Sequence, residues 1–305
     1  MQTYLRFGLL LLPTLVFSLV HVSNLSAQDE DDKIISVDSS IVVMNATVVN
    51  QSGKSISGLK KEQFTLFEDG VEQEIDLFTA EETPFAAVIL LDTSGSMEER
   101  VSLARAAAIR FLDGLRFSDN TSIFRFDSKV ALVQGFSNSR DVADEIFDLK
   151  SYGMTVLNDA VYRAAAELNK RPEKRRAIIV LSDGADTMSG RSSDAALKAA
   201  LAANAVIYTV DMSSPNTSSR DRMSAAGTLK KFAERTGGTF ISSPGGAAMR
   251  EAFEKIVAEL GAQYTIGFSP KNEKKDGKWR ALELRVARPN LTIRTRKGYN
   301  AEKAK

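Results

Sequence analysis

The feature that most constrains this chain is the unbroken apolar run Ala86-Ala-Val-Ile-Leu-Leu91, closed at once by Asp92-Thr-Ser-Gly-Ser96. A strand without a polar side chain must be covered on both faces, and strands of that kind belong to parallel sheets wrapped by helices. The residues that follow repeat the pattern. Leu103, Ala107, Phe111 and Leu115 recur every four residues, as one face of a helix does. Further strands are predicted at residues 122–126, 130–133, 177–181, 206–210 and 239–241, and helices at 139–148, 157–169, 193–203, 227–236 and 247–260. This alternation over residues 85–260 implies an α/β fold with a doubly wound, mostly parallel sheet.

The flanks read differently. Residues 28–84 hold predicted strands at 40–49, 64–67 and 73–78, with Asp69-Gly70 as a hairpin turn between the last two. Residues 261–305 hold strands at 263–268, 280–286 and 291–296, and Leu282, Leu284 and Val286 alternate with polar neighbours. Such alternation suits antiparallel strands with one wet face. We therefore expect the N-terminal segment, over residues 34–80, to pack with the C-terminal segment as one small β domain into which the α/β domain is inserted.

Residues 1–27 carry one early charge, Arg6, an apolar run from Phe7 to Val20 broken by Pro13, and the small pair Ser26-Ala27. This is the pattern of a secretory signal peptide, and the run is shorter than the roughly 20 apolar residues that span a membrane. The expectation is an exported protein, periplasmic or at the cell surface, with no transmembrane segment once the leader is cleaved. Cleavage removes one Arg and no acid, leaving 39 basic and 39 acidic side chains. That balance speaks against nucleic acid as a partner, which selects a basic stripe.

The chain has no cysteine, and its single histidine, His21, lies in the leader. A mature chain without either residue excludes Ser-His-Asp and Cys-His nucleophiles, thiolate or imidazole zinc sites and iron–sulfur clusters. Any metal must be held by oxygen, which points to magnesium, manganese or calcium.

Three short segments fall where such sheets bind ligands, at the carboxyl ends of strands: Asp92-Thr-Ser94-Gly-Ser96, Gly153-Met-Thr155 and Ser182-Asp183-Gly184. Taken singly, the first and second are ordinary helix caps and the third a turn. Taken together, Asp92, Ser94, Ser96, Thr155 and Asp183 resemble the metal-ion-dependent adhesion site of von Willebrand factor A domains, matched in order over about residues 85–260. Phe67-Glu-Asp-Gly70 and Arg296-Lys-Gly-Tyr299 in the flanks are similar to an uncharacterised group of exported bacterial proteins carrying that domain. The resemblance implies that Ser94 and Ser96 bind the ion directly, Thr155 directly or through water, and that Asp92 and Asp183 mostly hold coordinated waters. It further implies a binding module, not an enzyme, in which an Asp or Glu of a protein partner completes the coordination sphere.

Other readings compete. A metal-assisted hydrolase with Asp92 as nucleophile lacks the second Asp two residues on, where Ser94 stands. A subunit of an ATP-driven chelatase-type complex conflicts with the leader, and a structural surface protein with a vestigial site shares every feature except metal affinity. Glu98, Asp127, Asp159 and Asp186 near the loops read as solvated charge before they read as outer-shell acceptors. Met97 and Met154 flank the site and offer either an apolar rim or loop packing. The stretch from Lys271 to Lys278 reads as a solvated turn.

Overall fold

The computed structural model describes residues 41–80, 83–151, 153–214, 219–242 and 246–303. The expected leader and residues 28–40, which include the start of the strand predicted at 40–49, lie outside these residues. In chain order the elements are β1 (Val42–Asn50), β2 (Phe64–Glu68), β3 (Val71–Gln73), β4 (Leu77–Thr79), β5 (Phe85–Asp92), α1 (Val101–Asp113), β6 (Asn120–Phe126), β7 (Val130–Ser137), α2 (Leu157–Leu168) and β8 (Arg175–Ser182). There follow α3 (Ser193–Ala202), β9 (Ala205–Asp211), α4 (Ser219–Thr236), β10 (Phe240–Ile241), α5 (Gly246–Gly261), β11 (Tyr264–Phe268), β12 (Trp279–Val286), β13 (Leu291–Thr295) and β14 (Gly298–Asn300).

The apolar run becomes β5, buried along its whole length near the middle of a six-stranded sheet ordered β10-β9-β8-β5-β6-β7. Every pairing in that sheet is parallel except β7 on β6. Alternate side chains of β5 serve opposite faces. Phe85, Ala87, Ile89 and Leu91 join a core with α1 and α5, where the Phe111 and Phe253 rings meet edge to face at 6.3 Å. Ala86, Val88 and Leu90 join a second core with α2, α3 and α4 through Leu157, Val161, Leu197 and Phe232. The chain is thus a doubly wound α/β fold, as its sequence implies.

The flanking segments form two four-stranded sheets, β13-β1-β11-β4 and β14-β12-β2-β3. In the first, β1 lies between two C-terminal strands, antiparallel to both, with Val42 opposite Phe268 and Asn50 opposite Leu291. In the second, β2 pairs with β12. A shared core of Met44, Leu66, Tyr264, Ile266 and Phe268 fills the space between them. The Asp69-Gly70 turn is present, with φ of 48° and 83°, values that asparagine, aspartate and glycine tolerate best.

Three expectations need correction. The strand predicted at 73–78 is broken: β3 belongs to one sheet and β4 to the other, and the chain crosses between them where the Asp76 amide donates to the Gly267 carbonyl at 2.8 Å. The helix predicted at 139–148 is not formed beyond a single 3-10 turn at Asp144–Ile146. Side chains there satisfy the backbone that a helix would have used. Ser139 Oγ accepts from the Asp141 amide at 2.9 Å, and Gln134 accepts from the Ala143 amide at 3.0 Å while donating to the Asp141 carbonyl at 3.1 Å. Finally, α4 starts eight residues before Gly227 and runs through it, since a helix can absorb the roughly 1 kcal/mol that an internal glycine costs.

The β sheets meet the amino-terminal edge of the α/β sheet through buried polar groups. Arg175, fully buried at the start of β8, donates to the Gly261 carbonyl at 3.0 Å and to Thr265 Oγ1 at 3.4 Å. Glu259 near the end of α5 pairs with Arg294 of β13 at 2.7 Å. The carboxyl edge of the sheet, on the opposite side, is left for the three loops.

Candidate metal-binding site

Register sets the site. Asp92 ends β5 opposite Phe126 of β6, Leu91 faces Leu181 of β8, and Ser182 faces Asp211 of β9, so the loops leave one edge together. Asp92 is fully buried. Its Oδ1 accepts the Ser94 amide at 2.9 Å, and its Oδ2 accepts the Ser182 hydroxyl at 2.5 Å. The first bond turns the chain back over the strand end and brings the Ser94 and Ser96 hydroxyls to 3.2 Å from each other. Ser94 is buried and Ser96 exposed, so the pair runs from the interior to the surface. Gly95, between them, keeps an ordinary negative φ and starts a short 3-10 turn ahead of α1.

The second loop is pinned to the first by the Gly95 amide, which donates to the Gly153 carbonyl at 3.2 Å. Gly153 has a φ of 84°, and a Cβ there would lie 2.6 Å from Ser128 Oγ, so this crossing requires glycine. Thr155 is buried, and its main chain is clamped: its amide donates to Thr187 Oγ1 at 2.9 Å, and its carbonyl accepts the Thr187 and Met188 amides at 3.0 Å each. Thr155 does not cap α2. That role falls to Asp186, whose Oδ2 accepts the Asn158 amide in the first turn of the helix at 2.8 Å.

Asp183 is half-buried at the start of the third loop, with Oδ1 accepting the Ala185 amide at 3.1 Å. Burial pushes the Asp92 carboxyl up to about 7; hydrogen bonds from Ser182 and Ser94 pull it back, and the negative charge of Asp183 pushes it further up. The two carboxylates are therefore close enough to repel.

These donors suit a hard cation. Among the described residues no group of three or more carboxylate, imidazole or thiolate side chains could hold a metal by itself. What the edge offers is two adjacent hydroxyls, a buried threonine and two carboxylates, all oxygen, which matches the preference of magnesium for hard ligands with retained water. The structure brings Asp92, Ser94, Ser96 and Asp183 together, and places Thr155 in the loop fastened beside them.

Sequence reasoning placed Ser182 in the third segment but gave it no role. This fully buried serine donates to Asp92 and accepts the Gly184 amide at 2.9 Å, joining the first loop to the third. Asp127, directly after β6, is buried and not the solvated charge expected, and Asp211, which ends β9, is buried too. Each repeats the turn of Asp92, accepting the amide two residues on, Lys129 at 3.2 Å and Ser213 at 2.8 Å. Asp127 also takes the Arg125 guanidinium at 2.6 Å and the Thr93 hydroxyl at 3.3 Å, which steadies the first loop. Asp159 holds the Gly190 amide at 2.9 Å and Arg191 at 3.1 Å. The signal that could have found the two strand-end residues is an aspartate closing an apolar strand, repeated along the chain.

Residues 87–185 match the family model of the von Willebrand factor type A domain, a span that contains all five candidate ligands. The chain is also similar to inter-alpha-trypsin inhibitor heavy chain H3 of Bos taurus, at 28% identity in an alignment 122 residues long that covers 36% of this chain and 14% of that protein. Only about a seventh of the bovine protein is therefore matched. Among solved structures, a von Willebrand factor type A protein from Catenulispora acidiphila aligns at 14% identity over 87% of this chain and 74% of its own, with a TM-score of 0.48. The protein BatB from Bacteroides thetaiotaomicron aligns at 16% identity over 58% of this chain and 98% of its own, with a TM-score of 0.47.

Proposed function

We propose that this chain, which carries a von Willebrand factor type A domain, is an exported binding module that captures an acidic group of a protein partner through a divalent cation held by Asp92, Ser94, Ser96, Thr155 and Asp183. The observation that carries this reading is the pair of hydroxyls on Ser94 and Ser96, 3.2 Å apart and reaching from the interior to the surface over a buried carboxylate. Neutral hydroxyls leave the charge of an ion poorly quenched, so an incoming carboxylate is strongly attracted. A cation held there would also offset the negative charge that Asp183 adds beside the buried Asp92 carboxyl. Magnesium is the first choice, with manganese or calcium as alternatives.

A hydrolytic role is disfavoured by geometry. An aspartyl nucleophile needs a free, accessible oxygen, whereas Asp92 is fully buried with both oxygens already accepting hydrogen bonds. Export rests on the leader-like residues 1–27. Among the described residues no helix is long and apolar enough to cross a membrane.

Retention on a glutamate-bearing matrix tests capture, with a glutamine-bearing matrix as the control. Retention in magnesium that is lost in chelator and in Asp92→Ala supports the reading; retention indifferent to chelator contradicts it. Amino-terminal sequencing of the secreted protein should begin at Gln28, and a protein retaining Met1 inside the cell contradicts export.

A further inference from the structure

Nine large apolar side chains stand exposed among the described residues, and three of them are methionines: Met154 at 49%, Met188 at 57% and Met223 at 77%. All three lie in segments that touch the loops of the proposed cation site. Met154 precedes Thr155 and donates its amide to Ser128 Oγ at 3.1 Å, so its backbone is fixed while its side chain faces water. Met188 donates its amide to the Thr155 carbonyl at 3.0 Å. Met223 lies near the start of α4, two residues before Ala225, whose carbonyl is so close to Gly184 that a Cβ there would meet it at 2.5 Å. Met154 and Met188 are thus placed at Thr155, and Met223 lies in the amino-terminal part of the helix whose Ala225 carbonyl packs against Gly184, the residue after Asp183. Met97, which follows Ser96, is by contrast fully buried and belongs to the core. On the Ser96 side the rim is acidic, with Glu98 and Glu99 exposed.

We infer that Met154, Met188 and Met223 form an apolar collar around the cation site, and that the partner is a protein segment presenting a single carboxylate flanked by aliphatic side chains. The inference rests on the cation reading and adds the chemistry of the residues beside the carboxylate. Charge complementarity narrows the occupant. The cation attracts one carboxylate, whereas Glu98 and Glu99 repel an acidic run laid across the rim. Methionine suits the remaining contacts: it is unbranched and polarizable, and it adapts to aliphatic surfaces of different shape. Water released from those surfaces supplies affinity that a carboxylate alone lacks, at about tenfold for each pair of methylenes newly buried.

The test uses the full-length protein with ¹³C-labelled methionine methyls, and three synthetic peptides: one glutamate between pairs of leucines, one glutamate between pairs of serines, and a run of four glutamates. In magnesium, the leucine-flanked peptide should bind at least tenfold more tightly than either other peptide and shift the Met154, Met188 and Met223 methyls. A Met154→Gln, Met188→Gln, Met223→Gln variant should lose that preference and keep its magnesium affinity within twofold. Equal binding of the three peptides, or an unchanged preference in the triple variant, overturns the collar while magnesium uptake leaves the cation reading standing. No magnesium uptake by the folded wild-type protein overturns both, so the titration that fails identifies which idea is wrong.

Discussion

Asp92 is a carboxylate held where its charge is costly. In the unfolded chain its pKa is near 3.8, and in the folded chain burial raises it to about 7. Below about pH 4 the group is protonated in both states and costs nothing. As pH rises from about 4 to 7 the unfolded state has given up its proton while the folded state still holds it, so stability of the metal-free protein falls, by at most roughly 4 kcal/mol, and levels off above 7. Urea unfolding in chelator should show the wild type losing stability between pH 4.5 and 7.5 relative to Asp92→Asn; parallel pH profiles of the two proteins would contradict this account. Ser182 should behave as the partner of Asp92. Ser182→Ala strips one buried carboxylate oxygen and the Gly184 amide of their shared hydroxyl, a loss of roughly 1–3 kcal/mol measurable by denaturation. The three segments that carry the five candidate ligands were legible because each sits just past an apolar strand or just before a helix, boundaries that show in hydropathy, and the five residues within them were picked out by their likeness to the metal-ion-dependent adhesion site. The role of Ser182 was not legible, because a serine closing an apolar strand has no local signature of what it bonds; its partner is 90 residues away.

At the scale of elements, the parallel strands were readable from composition, since β5, β8 and β9 are buried along nearly their whole length and contain few polar residues. Where the reading failed, tertiary contacts outweighed periodicity. Residues 139–148 have apolar spacing, and Ile146 does reach the core, yet Ser139 and Gln134 take over the local backbone groups. The strand at 73–78 is split because its two halves serve different sheets, which no local pattern announces. The loop after β8 makes a sharper claim. Gly184 has a φ of 83°, and a Cβ there would lie 2.5 Å from the Ala225 carbonyl oxygen of α4. Gly184→Ala should therefore combine backbone strain with a clash against a helix, cost roughly 2 kcal/mol or more in thermal denaturation, and displace Asp183. A neutral effect on stability would show that α4 can move away from this loop.

For the whole molecule, the fold depends on strands from both ends of the chain. With β1 lying between β11 and β13, neither flank has a complete sheet alone, and the Glu259–Arg294 pair at 2.7 Å ties the last helix of the α/β part to that sheet. Arg294→Met leaves Glu259, only 2% exposed on its side chain, without its cation. The cost should be about 3–5 kcal/mol, and Glu259→Gln in the same chain should recover part of it; a neutral Arg294→Met would show that the pair contributes nothing to the junction. The pairing of the two flanks was legible from their alternating patterns, whereas the buried polar junction was not, because Arg175, Glu259 and Arg294 look like surface charges in the sequence. The central claim concerns the opposite edge of the sheet, and its most direct test is a calorimetric titration of magnesium into metal-stripped protein, with Asp92→Ala and Asp183→Ala alongside. The account predicts a single saturable site in the wild type that is lost in both variants while they remain folded. Heat of binding that persists in both folded variants, or its absence from folded wild type, would contradict it.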